Sequence, residues 1–476
     1  MRKLCSLIGM SILSLSSTAY ASDHSKKAQP IDQWLDQIHL DSLSASNQTD
    51  QKLLDLKQNL VNFYQDTTVD QSFVDDNGVT IDCIPFKKQL SLIHQSQFFI
   101  DKAYQNYKVH GPKEPQDTRC PIGDVLVARP SLYNMNHNNP SAFFKVAPKD
   151  TPQTHSASNN DPLGSYTWVD NGHSLSNHWD VAYTSLSMGS DPKMVTLSRA
   201  HSLGQIWVLN NDSRHQLSLE AGIVKNISLM TDRKERPNFF IYASVDNYGR
   251  QSCYNGWCGH FIRFPNTRPV NDLVTNPSHL LGYHGPTNIY TLAFRQAQQN
   301  DYTHRYNYYF SISDGIVDPT HNKTQIQNDT LGYYDLSTAN VNTSNPNLFS
   351  EVRSGGEISI DNTAAHGQHT WDMGTGDISA QQSDLNSAAV YAYGDATGFF
   401  SQQNPQTISY LTSRTSPDVH GHLDDYWKYF HGYTHSLDHL NAWPYKQKPT
   451  IPNTIKGAYH EPLKIMAYGG SITTTS

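Results

Sequence analysis

The sequence predicts a mainly β protein whose larger part is an antiparallel, jelly-roll-like β-sandwich. Between Tyr166 and about residue 385, short segments rich in aromatic and β-branched residues alternate with Gly, Asn, Asp and Pro turns. The composition favours the same fold class, because charged residues make up only 16% of the chain and 27 tyrosines accompany many short polar residues. The predicted strands include QIWVLN, FFIYASV, GHFIRF, IYTLAF and NYYFSIS.

Residues 22–145 are predicted to form a small α+β module in front of the sandwich. The stretches IDQWLDQIHLDSL and DQKLLDLKQNLVNFYQ repeat apolar residues at the three- and four-residue spacing of helices. Residues 146–165 are rich in Pro, Ser, Asn, Thr and Asp, which predicts an exposed linker open to proteolytic cleavage. Residues 386–476 are rich in His, Tyr, Ser and Pro without a readable period, so we expect a C-terminal extension and assign it no role.

The first 21 residues have the pattern of a signal peptide. A basic pair, Arg2 and Lys3, precedes an apolar run that ends in the small-residue cleavage sequence Ala19-Tyr20-Ala21. We therefore expect export to the periplasm or the exterior, with cleavage after Ala21. An uncleaved anchor is the weaker alternative, since the run is short and polar residues interrupt it. No other stretch approaches the ~20 consecutive apolar residues of a membrane span, so no membrane contact is expected after cleavage.

Charge and cysteine content narrow the function classes. The net charge is -8 and the 35 Lys and Arg residues form no basic block, so nucleic acid is not an expected partner. Four of the five cysteines remain after cleavage of the leader, and an even number in an oxidising compartment predicts two disulfides. Cys253 and Cys258 in CYNGWC could close a tight loop, bind a metal or act in redox chemistry. We favour the disulfide, because only His260 stands close enough to be a further ligand.

Two short stretches each place a glutamate in a strand pattern. In LSLEAGIVKN (217–226), Leu217 and the alternate residues after it fall on one face, and Glu220 falls on the other. A lone glutamate in such a strand is usually solvated on the outer face of a sheet. However, SGGEISI (354–360) repeats the pattern around Glu357. Each glutamate has two small neighbours on its own face, Ser218 and Gly222 for the first and Gly355 and Ser359 for the second, as a site that admits a peptide backbone requires.

Several motifs in order resemble the neprosin family of glutamic endopeptidases. They are QIWVLN, LEAGIV, DNYGRQSCYNGWCGHFI (246–262), GGEI and GQHTWDMGTG (367–376). DNGVTIDCIPFKKQ (76–89) and CPIGDVLVARP (120–130) resemble the family's N-terminal activation domain, so the resemblance extends over residues 70–385. Single motifs are short, but their shared order makes chance a poor explanation.

The resemblance implies a secreted zymogen that cleaves proline-containing peptides or proteins, with preference for the bond after proline and at acidic pH. It assigns the catalytic roles to Glu220 and Glu357 and requires no metal or other cofactor. Two such carboxyl groups would share one proton, the charged one activating water and the protonated one donating to the carbonyl oxygen. Where the family usually has Trp and Gln after E-A-G, this chain has Ile223 and Val224.

The resemblance also guides the expectations for neighbouring residues. Gln205, Trp207 and Tyr254 are expected to line the groove beside the glutamates. Cys83 and Cys120 lie inside the part similar to the activation domain and are expected to pair with each other, as are Cys253 and Cys258. The catalytic β-sandwich is expected to span residues 166–385.

Three other functions have weaker support in the sequence. His435 and His439 stand four apart in a histidine-rich stretch (420–440), but the glutamate of a metalloprotease helix is missing, because Ser436 follows the first histidine. The sequence contains no G-x-S-x-G motif, so a serine nucleophile has no support. A non-catalytic carbohydrate- or surface-binding sandwich would use an aromatic groove that includes Trp207, Tyr254 and Trp257, without needing both carboxylates.

Overall fold

The computed structural model describes part of the chain. The described residues are 28–38, 48–76, 78–131, 165–174, 179–187, 200–210, 217–225, 238–247, 252–272, 289–299, 304–315, 317, 322–360, 369–373, 388–392, 398–400, 414–418, 431–436 and 464–474. The predicted signal peptide and the predicted linker, apart from Ser165, lie outside these residues.

Within the described residues the protein is mainly β, with five helices and twenty strands. The helices are α1 Ile31–Asp36, α2 Gln48–Gln65, α3 Leu90–Ile93, α4 Gln97–His110 and α5 Lys323–Asn328. The strands are β1 Gln71–Val74, β2 Thr80–Pro85, β3 Asp124–Ala128, β4 Ser165–Ser174, β5 Val181–Ser187, β6 Ala200–Leu209, β7 Ser218–Lys225, β8 Asn238–Ser244, β9 Cys253–Tyr254, β10 Phe261–Arg263, β11 Ile289–Gln298, β12 Tyr306–Asp314, β13 Thr330–Tyr334, β14 Glu351–Ile360, β15 His369–Met373, β16 Ala388–Ala392, β17 Gly398–Phe400, β18 Arg414–Asp418, β19 His431–Ser436 and β20 Lys464–Thr474.

The strands form three antiparallel sheets. The N-terminal module contains the sheet β1-β2-β3, and the sandwich contains a seven-stranded sheet in the order β18-β4-β14-β6-β7-β8-β9. The second sheet of the sandwich has ten strands, with the order β10-β13-β12-β11-β5-β16-β20-β15 and with β17 and β19 paired beside β5 and β20. Strands from residues 386–476 therefore join both sheets, although the sequence of this segment showed no period.

The two larger sheets share one apolar core, as in a β-sandwich. The inner face of the seven-stranded sheet contributes Ile206, Leu219 and Ile241, and the ten-stranded sheet contributes Leu292 and Phe310 to the same cluster. The alternation of these residues along each strand orients one side chain in two towards the core. Burial of this two-sided apolar layer is the main force that holds the sheets together.

The N-terminal module packs on the outer face of the ten-stranded sheet. Ile84 and Phe86 of the module lie in one buried cluster with Trp257, Tyr309 and Tyr333. Polar contacts complete this interface: backbone N–H groups of residues 116 and 117 donate to the carbonyl oxygen of residue 266 at 2.9 Å, and the side-chain amide of residue 271 donates to the carbonyl oxygen of residue 128 at 3.1 Å. The module and the sandwich are therefore in close contact.

The helices follow the predicted pattern with one difference. α2 covers the predicted stretch DQKLLDLKQNLVNFYQ, whereas α1 ends at Asp36 and is much shorter than the stretch IDQWLDQIHLDSL. Gln37 and Ile38 close it with backbone N–H groups that bond three residues back, which is the tightened geometry of a helix end. No helix in the described part of the chain is long and apolar enough to cross a membrane.

Candidate active site

Glu220 lies near the middle of the seven-stranded sheet, on the face that points away from the sandwich core. β7 pairs with β6 and β8, and Glu220 stands opposite Trp207 on one side and Tyr242 on the other. Its chain neighbours Leu219 and Ala221 point into the core. The Glu220 side chain is nevertheless 0% exposed. It is therefore a buried carboxyl group, and the usual reading of a solvated strand residue is wrong here.

A serine on the same strand bonds to this carboxyl group. The Ser218 hydroxyl donates to Oε1 of Glu220 at 2.6 Å, and both residues are 0% exposed. Residues two apart on a strand share a face, so the sequence itself brings the hydroxyl beside the carboxyl group. A buried carboxyl group needs such partners, since its desolvation is otherwise costly.

Position 357 lies on the same face as Glu220, two strands away. β14 pairs with β6 so that Arg353 is opposite Trp207 and Glu357 is opposite Leu203. The alternation 353, 355, 357 then follows the face of Trp207 and Glu220. The side chain of Glu357 lies outside the described part of the structure. Two strand spacings and four residues separate the two positions, which on a flat sheet would be roughly 16 Å between Cα atoms.

Positions 220 and 357 are therefore separated by an interval on the sheet face, which β6 crosses. Sheet twist and coiling change the flat-sheet value, because each strand is rotated against its neighbour. The cross-strand row of Gly222, Gln205 and Gly355 lies midway across the interval. Gln205 is 0% exposed and lies on β6, the strand between β7 and β14.

Gly222 is small for a reason that the sequence did not reveal. A Cβ atom at Gly222 would lie 2.7 Å from Cε1 of Phe240 and 2.8 Å from Cβ of Gln205, and would also collide with the Gly204 carbonyl oxygen. The Phe240 ring on β8 therefore covers this position. The expectation that Gly222 leaves room for a substrate backbone is replaced by a packing requirement within the sheet.

A buried ion pair lies on the same sheet face as Glu220 and was not predicted from the sequence. Arg353 donates through Nε to Oε1 of Glu351 at 2.7 Å and through Nη2 to Oε2 at 3.2 Å. Arg353 is 3% exposed and Glu351 8%. The alternation that placed Glu357 on this face also places residues 353 and 351 there, so the strand pattern could have found the pair.

The other residues expected in the groove divide between two environments. Trp207 is 2% exposed on the face of Glu220, whereas Trp257 is 1% exposed and packs into the cluster shared with the N-terminal module. Tyr254 lies between them, because its ring contacts Phe240 and Tyr242 and also packs against the module. A single aromatic groove formed by Trp207, Tyr254 and Trp257 is thus not seen.

Ile223 and Val224, which depart from the family pattern, lie on opposite faces of β7. Ile223 is 1% exposed and belongs to the sandwich core. Val224 is on the face of Glu220, where it packs with Leu203, Phe240 and Tyr242. Only Val224 can therefore influence the shape of the candidate site directly.

The structure contains two disulfides, in the pairs that the sequence analysis expected. Cys83 is bonded to Cys120 within the N-terminal module, and Cys253 to Cys258 around a four-residue loop. Asn255 in this loop has a positive φ of 50° and Gly256 one of 68°, which fits the turn that so small a ring requires. Disulfides are consistent with the oxidising environment of a secreted protein.

The histidine-rich stretch lies mostly outside the described residues. His431 and His435 belong to β19, which pairs with β20, so His435 is in a strand and not in a metalloprotease-type helix. Among the residues that the structure describes, no three His, Cys, Asp or Glu side chains are grouped as a metal site.

Fold and site together define an antiparallel β-sandwich with two glutamate positions on one outer sheet face, one of them a fully buried carboxyl group. The family model described as Neprosin matches residues 198–416, which contain both glutamates, and this match supports membership of the neprosin family. The match suggests a peptidase. The match extends beyond residue 385, in agreement with the pairing of later strands in the sandwich.

Two further comparisons with known proteins give no additional support for a function. The crystal structure of Scytalido-glutamic peptidase with a peptide-based transition state analog is similar over 53% of this chain and 87% of that chain, with 9% sequence identity and a TM-score of 0.21. A likeness at this level carries no argument for the present chain. A search of the curated proteins gave no match.

Proposed function

We propose that the protein is a secreted glutamic endopeptidase, made as a latent precursor, that cleaves preferentially after proline at acidic pH. The observation that carries this proposal is the register of β7, β6 and β14, in which Glu220 and position 357 share one sheet face. The match of residues 198–416 to the Neprosin family model supports the peptidase class. The proposed substrate is a proline-containing peptide or protein.

In the proposed reaction the two glutamates act on one peptide bond from opposite sides. One carboxylate takes a proton from water while the water oxygen bonds to the carbonyl carbon, and the other carboxyl group gives its proton to the carbonyl oxygen. The C–N bond of the tetrahedral intermediate then breaks. The first glutamate returns its proton to the leaving amine, the second recovers its proton as the carbonyl re-forms, and water is the only co-reactant.

Acidic pH is part of this proposal because the two carboxyl groups must differ in protonation. One has to be ionised and the other protonated in the same molecule, a state that is lost as the solution approaches neutrality. In this proposal the substrate bond and a water molecule lie between the two positions, across β6.

Latency is supported by the burial of the candidate site. In the full-length chain Glu220 is 0% exposed and Trp207 is 2% exposed, so a substrate cannot contact this carboxyl group until part of the chain moves. We propose that cleavage within residues 146–165 allows this movement. Mass spectrometry during acid incubation should find a new N-terminus in this segment before activity rises. Activity from a chain that remains uncut would reject the latency proposal.

The catalytic proposal is tested by neutralising each glutamate at constant size. Glu220→Gln and Glu357→Gln should each lower kcat by at least ~100-fold, the lower end of what positioned acid-base groups contribute. Glu114→Gln is the matched control, since Glu114 is exposed on the N-terminal module. Full activity in either active-site variant would reject the two-glutamate mechanism, and inhibition by a chelator would direct attention to the histidine-rich stretch.

The preference for proline is tested separately with a peptide library whose cut sites are read by mass spectrometry at several pH values. We expect proline to dominate the position before the cut. Val224 offers a direct probe of the site's shape, because it lies on the face of Glu220 and takes the place of a residue that is usually polar in the family. A library dominated by another residue would remove the prolyl part of the proposal and leave the peptidase class intact.

A further inference from the structure

We infer that the N-terminal module stays bound to the sandwich after the chain is cut, so that the mature protein is a complex of two fragments. The sandwich surface around Asn266 is the surface that recognises the module. This inference rests on the cut that the proposed function places within residues 146–165. It does not depend on the catalytic roles of Glu220 and Glu357.

The side chain of Asn266 is surrounded by backbone groups of the module. Asn266 follows β10 and is 2% exposed. The Gly123 N–H donates to its Oδ1 at 2.8 Å. Its Nδ2 donates to the carbonyl oxygens of Pro121 at 3.1 Å, Asp117 at 3.3 Å and Cys120 at 3.5 Å. One amide group thus acts as donor and acceptor towards the module at the same time, which neither a carboxylate nor an apolar side chain can do.

The backbone of Asn266 extends the same contact. Its N–H donates to the carbonyl oxygen of Asp124 at 2.8 Å, and its carbonyl oxygen accepts from the N–H groups of residues 116 and 117 at 2.9 Å. Asn266 has a φ of 51°, a left-handed conformation that asparagine adopts more readily than most residues. The main chain and the side chain of this one residue are therefore both bonded to the module.

A second pair of hydrogen bonds joins Gln89 of the module to Arg263 of β10. The Arg263 N–H donates to Oε1 of Gln89 at 2.9 Å, and Nε2 of Gln89 donates to the Arg263 carbonyl oxygen at 3.2 Å. Gln89 is 0% exposed and Arg263 3%. The Arg263 guanidinium also lies 5.3 Å from the centre of the Phe63 ring on α2, within the distance of a cation–π contact. Departure of the module would end all of these buried contacts.

Apolar burial accompanies the polar contacts. Trp257, Phe264, Tyr309 and Tyr333 of the sandwich are each at most 1% exposed, and they share one cluster with module residues such as Phe86. If the module left, water would reach this aromatic surface. Soluble proteins rarely expose contiguous apolar patches of more than a few hundred Å². A surface of this kind favours a module that remains in place.

The module and Glu220 lie on different outer faces of the sandwich. The module packs on the outer face of the ten-stranded sheet, and Glu220 lies on that of the seven-stranded sheet. The module reaches the seven-stranded sheet at β9, where Tyr254 packs against the module and against Phe240 and Tyr242. The described contacts of the module are therefore compatible with exposure of Glu220 while the module stays bound.

The test uses the full chain with a recognition sequence for a site-specific protease inserted within residues 146–165, so that the cut does not require the protein's own activity. Complete cleavage is confirmed on a denaturing gel. The two fragments should then co-elute in size-exclusion chromatography at neutral and at acidic pH, and native mass spectrometry should give their summed mass. Separate elution of the two fragments would overturn the inference.

Exchange of the bound module measures the contribution of Asn266. Isotope-labelled and unlabelled cut proteins are mixed, and native mass spectrometry follows the appearance of mixed complexes. Asn266→Asp keeps the size of the side chain and its tolerance of a positive φ, but it places a carboxylate against three carbonyl oxygens. It should speed the exchange by at least about tenfold, the effect of one lost hydrogen bond expressed in the dissociation rate.

Asn340→Asp is the matched control, because Asn340 also has a positive φ, 60°, and is exposed. It should leave the exchange rate unchanged, and equal rates in the two variants would overturn the assignment to Asn266. If Asn266→Asp does not fold, Gln89→Met takes its place, since methionine has a similar length and lacks both hydrogen-bonding groups. The same tenfold increase is expected, and an unchanged rate would overturn the inference.

The outcomes separate this inference from the proposed function. Co-elution of the fragments together with full activity of Glu220→Gln would support the retained module and reject the catalytic proposal. Separate fragments together with an inactive Glu220→Gln would reject the retained module and leave the catalytic proposal standing.

Discussion

The N-terminal module and the outer face of the seven-stranded sheet each bury a carboxyl group completely, but they surround it differently. Asp82 in the module accepts hydrogen bonds from Arg129 on both oxygens, and from Tyr64 at 2.8 Å and Ser72 at 2.6 Å. Glu220 accepts from a neutral serine hydroxyl in its own strand. Both residues are 0% exposed.

The contrast bears on the roles that we propose for the two groups, structural for Asp82 and catalytic for Glu220. The Arg129 guanidinium group bonds to both oxygens of Asp82 through charge-assisted hydrogen bonds, and removing one partner would leave the other charge buried and uncompensated. The Ser218 hydroxyl that bonds to Glu220 is a neutral group that can donate or accept a hydrogen bond. The comparison therefore predicts opposite mutational signatures: loss of stability at Asp82 and loss of activity at Glu220.

The largest expected effect on folding follows removal of the Asp82 charge. Asp82→Asn leaves the buried Arg129 without its counter-ion and should lower the free energy of unfolding by about 3–5 kcal/mol. The midpoint of urea denaturation measures this loss. Asp314→Asn is the control, because Asp314 in its pair with Arg268 is 73% exposed and such surface pairs contribute about 1 kcal/mol or less. Equal, small losses of stability in the two variants would contradict the distinction between the buried ion pair and the surface ion pair.

A smaller loss is expected when the covered glycine beside Glu220 is enlarged. Gly222→Ala forces a methyl group against the Phe240 ring and the Gly204 carbonyl oxygen, and should cost about 1–3 kcal/mol of stability. Adding Phe240→Leu should recover part of the loss, since the shorter side chain frees space above residue 222. A double-mutant cycle by urea denaturation measures this coupling, and strict additivity would show that the two residues do not meet.

The smallest expected effect on stability comes from a pH-dependent contact between the N-terminal module and the sandwich. Arg295 of β11 donates through Nη1 to Nδ1 of His110 at 3.3 Å, and the His110 ring lies 4.4 Å from that of Tyr309. Burial, followed by the charges of Arg295 and Lys113, lowers the pKa of His110 to about 4. Its unfolded value is about 6.5, so the neutral form stabilises the fold fully above that pH and this contribution is lost as pH falls towards 4.

After allowance for solvent screening, we expect this loss to be about 1–2 kcal/mol between pH 6.5 and 4. Urea denaturation of the full chain at pH 7, 5.5 and 4 measures it. His110→Asn keeps an acceptor near the position of Nδ1 without a group that titrates, and should flatten the pH dependence. His304→Asn, at an exposed site, should not. If the free energy of unfolding of His110→Asn falls with pH as steeply as that of the unsubstituted chain, the contact of His110 is not acid-sensitive.

Local patterns in the sequence predicted part of this picture. Alternation found β7 and β14 and their glutamates, since it depends only on residues two apart. It could not show that Phe240 fills the space over Gly222, because that contact depends on the register between β7 and β8. The strands of residues 386–476 were missed for a related reason: β16 pairs with β5, about 200 residues earlier in the chain, and pairing of this range leaves no local signal.

The two disulfides have a consequence for any chain cut between residues 146 and 165. Cys83–Cys120 lies wholly before this segment and Cys253–Cys258 wholly after it. No covalent bond in the described disulfides crosses the cut, so the two fragments would become separate molecules in a reversible association. Their separation would then obey mass action: dilution would favour the free sandwich, and added N-terminal fragment would shift the equilibrium back to the complex.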